Sequence, residues 1–123
     1  MKLHIDDSKT IEAIKNEFTN SFEFLKLEFF TKPHQVGEPS AKADMIDENK
    51  TLGEIRQKHN EGDLIINAEM LVSEVEGAFE EKFGVHAQVF RKQNNVWLET
   101  SGSDGWTLVK QNETGEFMSS PAE

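Results

Sequence analysis

No cysteine occurs in the 123 residues, which excludes disulfides, thiolate metal sites and cysteine nucleophiles. Arginine is almost as scarce, with Arg56 and Arg91 alone. Against 23 acidic residues stand 13 lysines and arginines, a formal net charge of −10. That balance repels phosphate backbones, which are held by clustered Lys and Arg, so neither nucleic acid nor a membrane surface is an expected partner. Long apolar runs are also missing. No stretch approaches membrane-spanning length, and the amino terminus MKLHIDDSKTIEAIK has no apolar segment of signal-peptide size. The expected location is cytoplasmic. The length suits one domain, residues 1–123, able to bury a core without metal or disulfide support.

What is present is an echo at an offset of 60 residues. Ile5 matches Ile65, Leu25 matches Val85, Leu27 matches Ala87, Phe29 matches Val89, Phe30 matches Phe90 and Lys32 matches Lys92. LKLEFFTK and VHAQVFRK therefore read as equivalent strands. Two pseudo-repeats result, residues 1–62 and 63–118, followed by a frayed tail at 119–123.

In the first repeat, period-two alternation predicts a strand over Lys2–Asp6 with Leu3 and Ile5 inward. Asp7 or Ser8 is placed to cap a helix whose Ile11, Ile14, Phe18 and Phe22 recur at helical spacing. A second strand runs over Phe24–Lys32. Residues 33–50 hold two of the three prolines and read as loop, with room for a short strand at Ala43–Ile46. Thr51 and Glu54 form a capping box that starts a helix from Leu52 to about Lys58, closed by Gly62.

In the second repeat, Leu64–Ile66 is a strand and Asn67 caps a helix over Ala68–Phe83, with Leu71, Val72, Val75, Phe79 and Phe83 buried and Glu76 on the outer face. Gly84 ends it in the left-handed conformation. Val85–Lys92 and Val96–Thr100 flank a turn at Gln93-Asn94-Asn95, a hairpin signal. A short helix is expected near residues 106–112, capped by Ser103 or Asp104.

Two β-α-β units joined by antiparallel pairing predict an α+β two-layer sandwich of ferredoxin-like, split β-α-β form, both long helices on one side of the sheet and an extra C-terminal hairpin strand. The other sheet face then holds Phe24, Phe30, Leu64, Ile66, Phe90 and Trp97 beside charged groups, too apolar for a solvated surface, so that either a partner or the chain's own loop 33–50 or C-terminal segment is expected to cover it. The leading expectation is a non-catalytic interaction or regulatory module that binds a protein partner, or itself as a homodimer, through that face. The alternative is a small-ligand or metal-binding protein, or an enzyme, using His4 and His86 with Glu28, since imidazole and carboxylate suit zinc or iron as well as acid–base work. That alternative assumes that the first and fourth strands are neighbours.

No catalytic or cofactor motif is found, and no cofactor is expected. The acidic run at Asp44–Asn49 fails the calcium-loop pattern, because Ile46 and Ile55 fall where oxygen ligands belong. Ser101-Gly102-Ser103-Asp104-Gly105 has neither the P-loop lysine pattern nor the nucleophile-elbow pattern.

Overall fold

The computed structural model describes residues 1–32 and 42–119. These form a small α+β domain with two antiparallel sheets and four helices, compatible with a two-layer sandwich. In chain order the elements are β1 (Lys2–Ile5), α1 (Ile11–Ser21), β2 (Leu25–Phe30), α2 (Leu52–Ile55), β3 (Gly62–Ile65), α3 (Val72–Phe83), β4 (His86–Gln93), β5 (Val96–Glu99) and α4 (Leu108–Ser119). Single 3-10 turns lie at Lys42–Asp44 and Ser101–Ser103. Residues 33–41 of the loop expected at 33–50, and the tail beyond Ser119, lie outside the described residues.

The strand order differs from the split β-α-β expectation. β1 pairs with β3 in one ladder, and β4 lies between β2 and β5 in the other, so the first and fourth strands are not neighbours. Each strand instead pairs with its own counterpart in the second half. The β2–β4 register keeps the offset of 60 seen in the sequence, whereas β1–β3 sets Leu3 against Leu64, 61 apart. Glu28 faces Gln88, its own equivalent. Antiparallel pairing of like strands brings the two apolar patterns face to face, which places Leu25, Leu27, Phe29, Ala87 and Val89 in one core.

The backbone bonds that start the helices repeat as well. Ile11 N–H reaches Lys50 O while Leu52 N–H reaches Lys9 O; likewise Val72 N–H reaches Trp106 O while Leu108 N–H reaches Met70 O. Met45 bridges Phe30 beside β2 much as Glu99 pairs with Phe90 beside β4. The short strand expected at Ala43–Ile46 is thus reduced to a bridge. The two-residue hairpin forms as expected, with Asn94 at φ 55, and Gly84 closes α3 at φ 67.

Helix ends depart from the sequence reading where turn chemistry competes. Asp6 accepts from Ser8 N–H and Oγ, a local turn that moves the α1 cap on to Thr10, whose hydroxyl accepts from Ala13 N–H at 3.1 Å. Asn67 turns back on Glu69 N–H, so α3 starts at Val72 rather than at Ala68. The Thr51–Glu54 box is present, but α2 stops at Ile55, and Gly62 opens β3 instead of closing a helix. Thr107, not Ser103 or Asp104, accepts from α4, through Lys110 N–H. α4 itself runs to Ser119, well past the short helix expected. Glu76 is buried, not outward, because its carboxylate accepts Val89 N–H at 2.9 Å.

Candidate functional site

The six side chains expected on a contact face separate into two groups. Phe30, Leu64, Ile66 and Phe90 are buried, whereas Phe24 and Trp97 are half-buried. Register explains Leu64: it lies opposite Leu3 and shares its inward face, leaving Ile65 58 % exposed beside Lys2. The counterpart of Ile5 therefore points outward although the sequence matches. Trp97 stands across from Lys92, with the Lys26 ammonium 5.1 Å from its ring centroid and 5.4 Å from that of Phe90.

Exposed apolar groups gather instead around β5 and the end of α4. Val96 is 54 % exposed, Leu98 39 % and Phe117 78 %, with Met118 also exposed. Ser119 Oγ accepts from Asn94 N–H at 3.2 Å, which holds the end of α4 against the β4–β5 turn. Among the described strands β5 has a neighbour on one side only. It carries no lysine or proline, the residues that commonly blunt such an edge.

His4 and His86 are not brought together. His4 lies on β1, in the two-stranded ladder, whereas His86 and Glu28 lie in the other sheet. His86 Nδ1 sits 3.4 Å from Glu80 Oε1 without a hydrogen bond. Glu28 is held by Lys15 Nζ at 2.8 Å and Lys26 Nζ at 3.1 Å. Burial disfavours the Lys15 charge, yet the carboxylates of Glu28 and Glu48 outweigh it and hold the ammonium above its ordinary value.

Around His4 a different set converges. Its Nδ1 is 3.0 Å from Asp63 Oδ1, directly across the ladder, and its Nε2 is 3.3 Å from both Asp6 Oδ2 and Glu61 Oε2. The hydrogen bond to Asp63, aided by the charges of Asp63, Asp6 and Glu61, raises the imidazole above its ordinary value despite some desolvation. Asp6 in turn is lowered, chiefly by the Ser8 hydroxyl. A protonated His4 donates to Asp63 and lies within ion-pair distance of Asp6 and Glu61. A neutral His4 donating to Asp63 presents the Nε2 lone pair, and one ligand atom each from His4, Asp6 and Glu61 then lie within 4.8 Å of one another.

Sequence reasoning missed Asp63 and Glu61 because their approach to His4 depends on the β1–β3 register. It also missed Arg56, whose guanidinium is fully buried. Arg56 donates to Asp7 Oδ1 at 2.8 Å, Phe83 O at 3.1 Å and Asn60 O at 2.8 Å, while Asp7 Oδ2 meets His59 Nδ1 at 2.8 Å. A lone arginine outside any motif carried no signal of this. Arg91 differs: half-buried, it donates to Gln111 Oε1 at 2.9 Å and lies over Trp106.

No protein-family description, curated protein or solved structure matches this chain. Among the described residues no helix is long and apolar enough to cross a membrane.

Proposed function

We propose that this protein is a non-catalytic interaction module, built by duplication of a β-α-β unit, that pairs with itself or with a protein partner along the β5 edge. What supports the reading is that β5 has a neighbour on one side only among the described strands and exposes Val96 and Leu98, with Phe117 exposed near the end of α4, which Ser119 holds at the β4–β5 turn. Unpaired strand edges and contiguous apolar surface both favour association. Trp97, half-buried on the opposite side of the same strand, adds an aromatic anchor. Phe24 borders α4, whose Asn112 side chain accepts its N–H. Light scattering of the native chain and of Leu98→Lys with Phe117→Glu tests it: the native mass is that of a dimer, and the variant is monomeric. A native chain that is monomeric at all concentrations sinks self-association.

A second reading, metal binding, draws on one observation, the convergence of His4, Asp6 and Glu61 with Asp63 behind the imidazole. That donor set suits zinc, iron or manganese, and a bound ion raises the melting temperature by preferential binding to the folded state. Zinc or manganese titration of the native chain and of His4→Ala decides it. Equal melting temperatures with and without metal refute it.

A further inference from the structure

The three-stranded sheet has two margins, and the two halves treat them differently. Along β2 the margin is taken up: Ile46 N–H reaches Phe29 O at 2.8 Å and Thr31 N–H reaches Asp44 O at 2.9 Å. Past the end of β5 the margin of β4 is taken up as well, since Val89 N–H goes to the Glu76 carboxylate and Val89 O accepts from Thr100 N–H and Oγ1. On the face that Arg91 shares with Leu98, α4 seats Gly115 so closely that an added Cβ would come within 2.8 Å of Phe24 Cβ and 3.1 Å of Arg91 Cγ. From that seat α4 packs on β4 and β2, and Val96 and Leu98 on β5 remain exposed.

Backbone parity fixes what β5 offers. Gln93↔Val96 closes the two-residue turn, Arg91↔Leu98 follows, and Thr100 N–H continues the series to Val89 O, so the even-numbered residues direct their N–H and C=O to β4. Trp97 and Glu99 direct theirs away from it. Two antiparallel copies of this strand therefore have three registers that join strand residues, about a twofold axis at Trp97, at Leu98 or at Glu99. An axis at Glu99 sets two carboxylates against each other, which is unfavourable. An axis at Trp97 joins only that residue to its copy, and brings together two Lys26 ammoniums, each 5.1 Å from its own Trp97 ring centroid. An axis at Leu98 joins Trp97 to Glu99 of the second copy on both sides of the axis and opposes no like charges.

We propose that the partner of the β5 edge is a second copy of this chain, paired antiparallel about a twofold axis at Leu98, so that the two three-stranded sheets become one. The proposal rests on the β5-edge reading and deepens it by naming the occupant and the register. Leu98 meets its own copy in a close, non-hydrogen-bonded pair, which covers an apolar side chain that the single chain leaves exposed. Charge is complementary on the other face: Glu99 of the second copy falls opposite Trp97, the ring that Lys26 Nζ overlies, and the same contact recurs across the axis. In a chain of net charge −10, the stretch from Gln93 to Glu99 has Glu99 as its single ionised residue, so the seam lies away from most of the charge that keeps copies apart.

The chain has no cysteine, so one introduced thiol reports one position. The axis places Leu98 Cα about 4.5 Å from its copy, inside the span that a disulfide bridges, and Val96 Cα on the order of 14 Å from its copy, well outside it. Val96 is the more exposed of the two, so random collision favours Val96→Cys. Under air oxidation, at a concentration where the native chain scatters light as a dimer, Leu98→Cys is expected to form a disulfide-linked dimer about tenfold faster than Val96→Cys, or more. Because loss of the leucine itself weakens the pair, a mixture of carbon-13-labelled and unlabelled native chain provides a second readout, intermolecular NOEs between the Leu98 methyls. A native dimer in which Val96→Cys links as fast as Leu98→Cys, or in which the Leu98 methyls show no intermolecular NOE, overturns the axis at Leu98 and leaves self-association standing. A native chain that is monomeric at all concentrations overturns both.

Discussion

Lys15 on α1 and Glu76 on α3 hold matching places in the two halves, four residues beyond Ile11 and Val72, and carry opposite charges. Glu76 folds inward to accept the Val89 N–H at the point where β5 ends. Lys15 reaches Glu28 and Glu48 and ties α1 to β2 and to the segment before α2. Apolar positions are shared between the halves while the polar contacts at the sheet margins have diverged. Burial needs only size and hydrophobicity at the right spacing, whereas a buried charge must be matched by a specific partner.

The sharpest way to break the comparison is at the two arginines. Arg56→Ala leaves the buried Phe83 carbonyl, the Asn60 carbonyl and Asp7 Oδ1 without their donor, and is expected to cost about 3 kcal/mol in urea unfolding. Arg91→Ala, half-buried and bonded to a neutral amide, is expected to cost about 1 kcal/mol. Equal losses would mean that the Arg56 clasp is no more than a surface contact. Next comes the α4 seat. Gly115→Leu forces the helix off Phe24 and Lys92 O and lowers stability by about 2 kcal/mol, while Gly77→Ala, with nothing within 4 Å of the added methyl, raises it by about 0.5–1 kcal/mol through helix propensity. Thermal melts of the two variants should move in opposite directions.

Helix starts offer a smaller contrast. Thr51→Ala removes the capping box of α2 and should cost about 1 kcal/mol. Leu71 at the start of α3 has no side-chain acceptor, and Glu74 alone reaches back to its N–H, so Leu71→Ala should act through lost packing and leave the cap unchanged. The smallest effect concerns pH. The folded state raises the His4 imidazole, so its contribution is fully present below the ordinary imidazole value and is lost as pH rises through the higher folded value. Melting temperature should therefore decline from about pH 6 to pH 8, with less slope in His4→Gln. An unchanged slope would refute the assignment to His4.

Much of the fold was legible because it rests on local periodicity. The stripe Ile11, Ile14, Phe18, the alternation of LKLEFF, the Thr51–Glu54 box, Gly84 and the Asn94-Asn95 turn all appear where the pattern put them. Strand order was not legible, because like strands can pair with either of two partners and the choice is made by long-range packing. One consequence was parity: Ile65 matches Ile5 in type yet faces solvent, since β3 meets β1 with Leu64 opposite Leu3. The contact surface suffered for the same reason, while the His4 cluster needed the cross-strand neighbour Asp63 to become visible.

Every ladder pair within β1–β3 and β2–β4 joins one half of the chain to the other. During synthesis the first half therefore emerges with the strand LKLEFF complete but without its hydrogen-bonding partner, which arrives only when β4 has left the ribosome. Until then a strand with four apolar residues of six is an open edge in search of any strand, including its own copy on a neighbouring nascent chain. The same pairing that makes the finished molecule one cooperative unit thus sets an interval in its biogenesis when protection has to come from outside the chain.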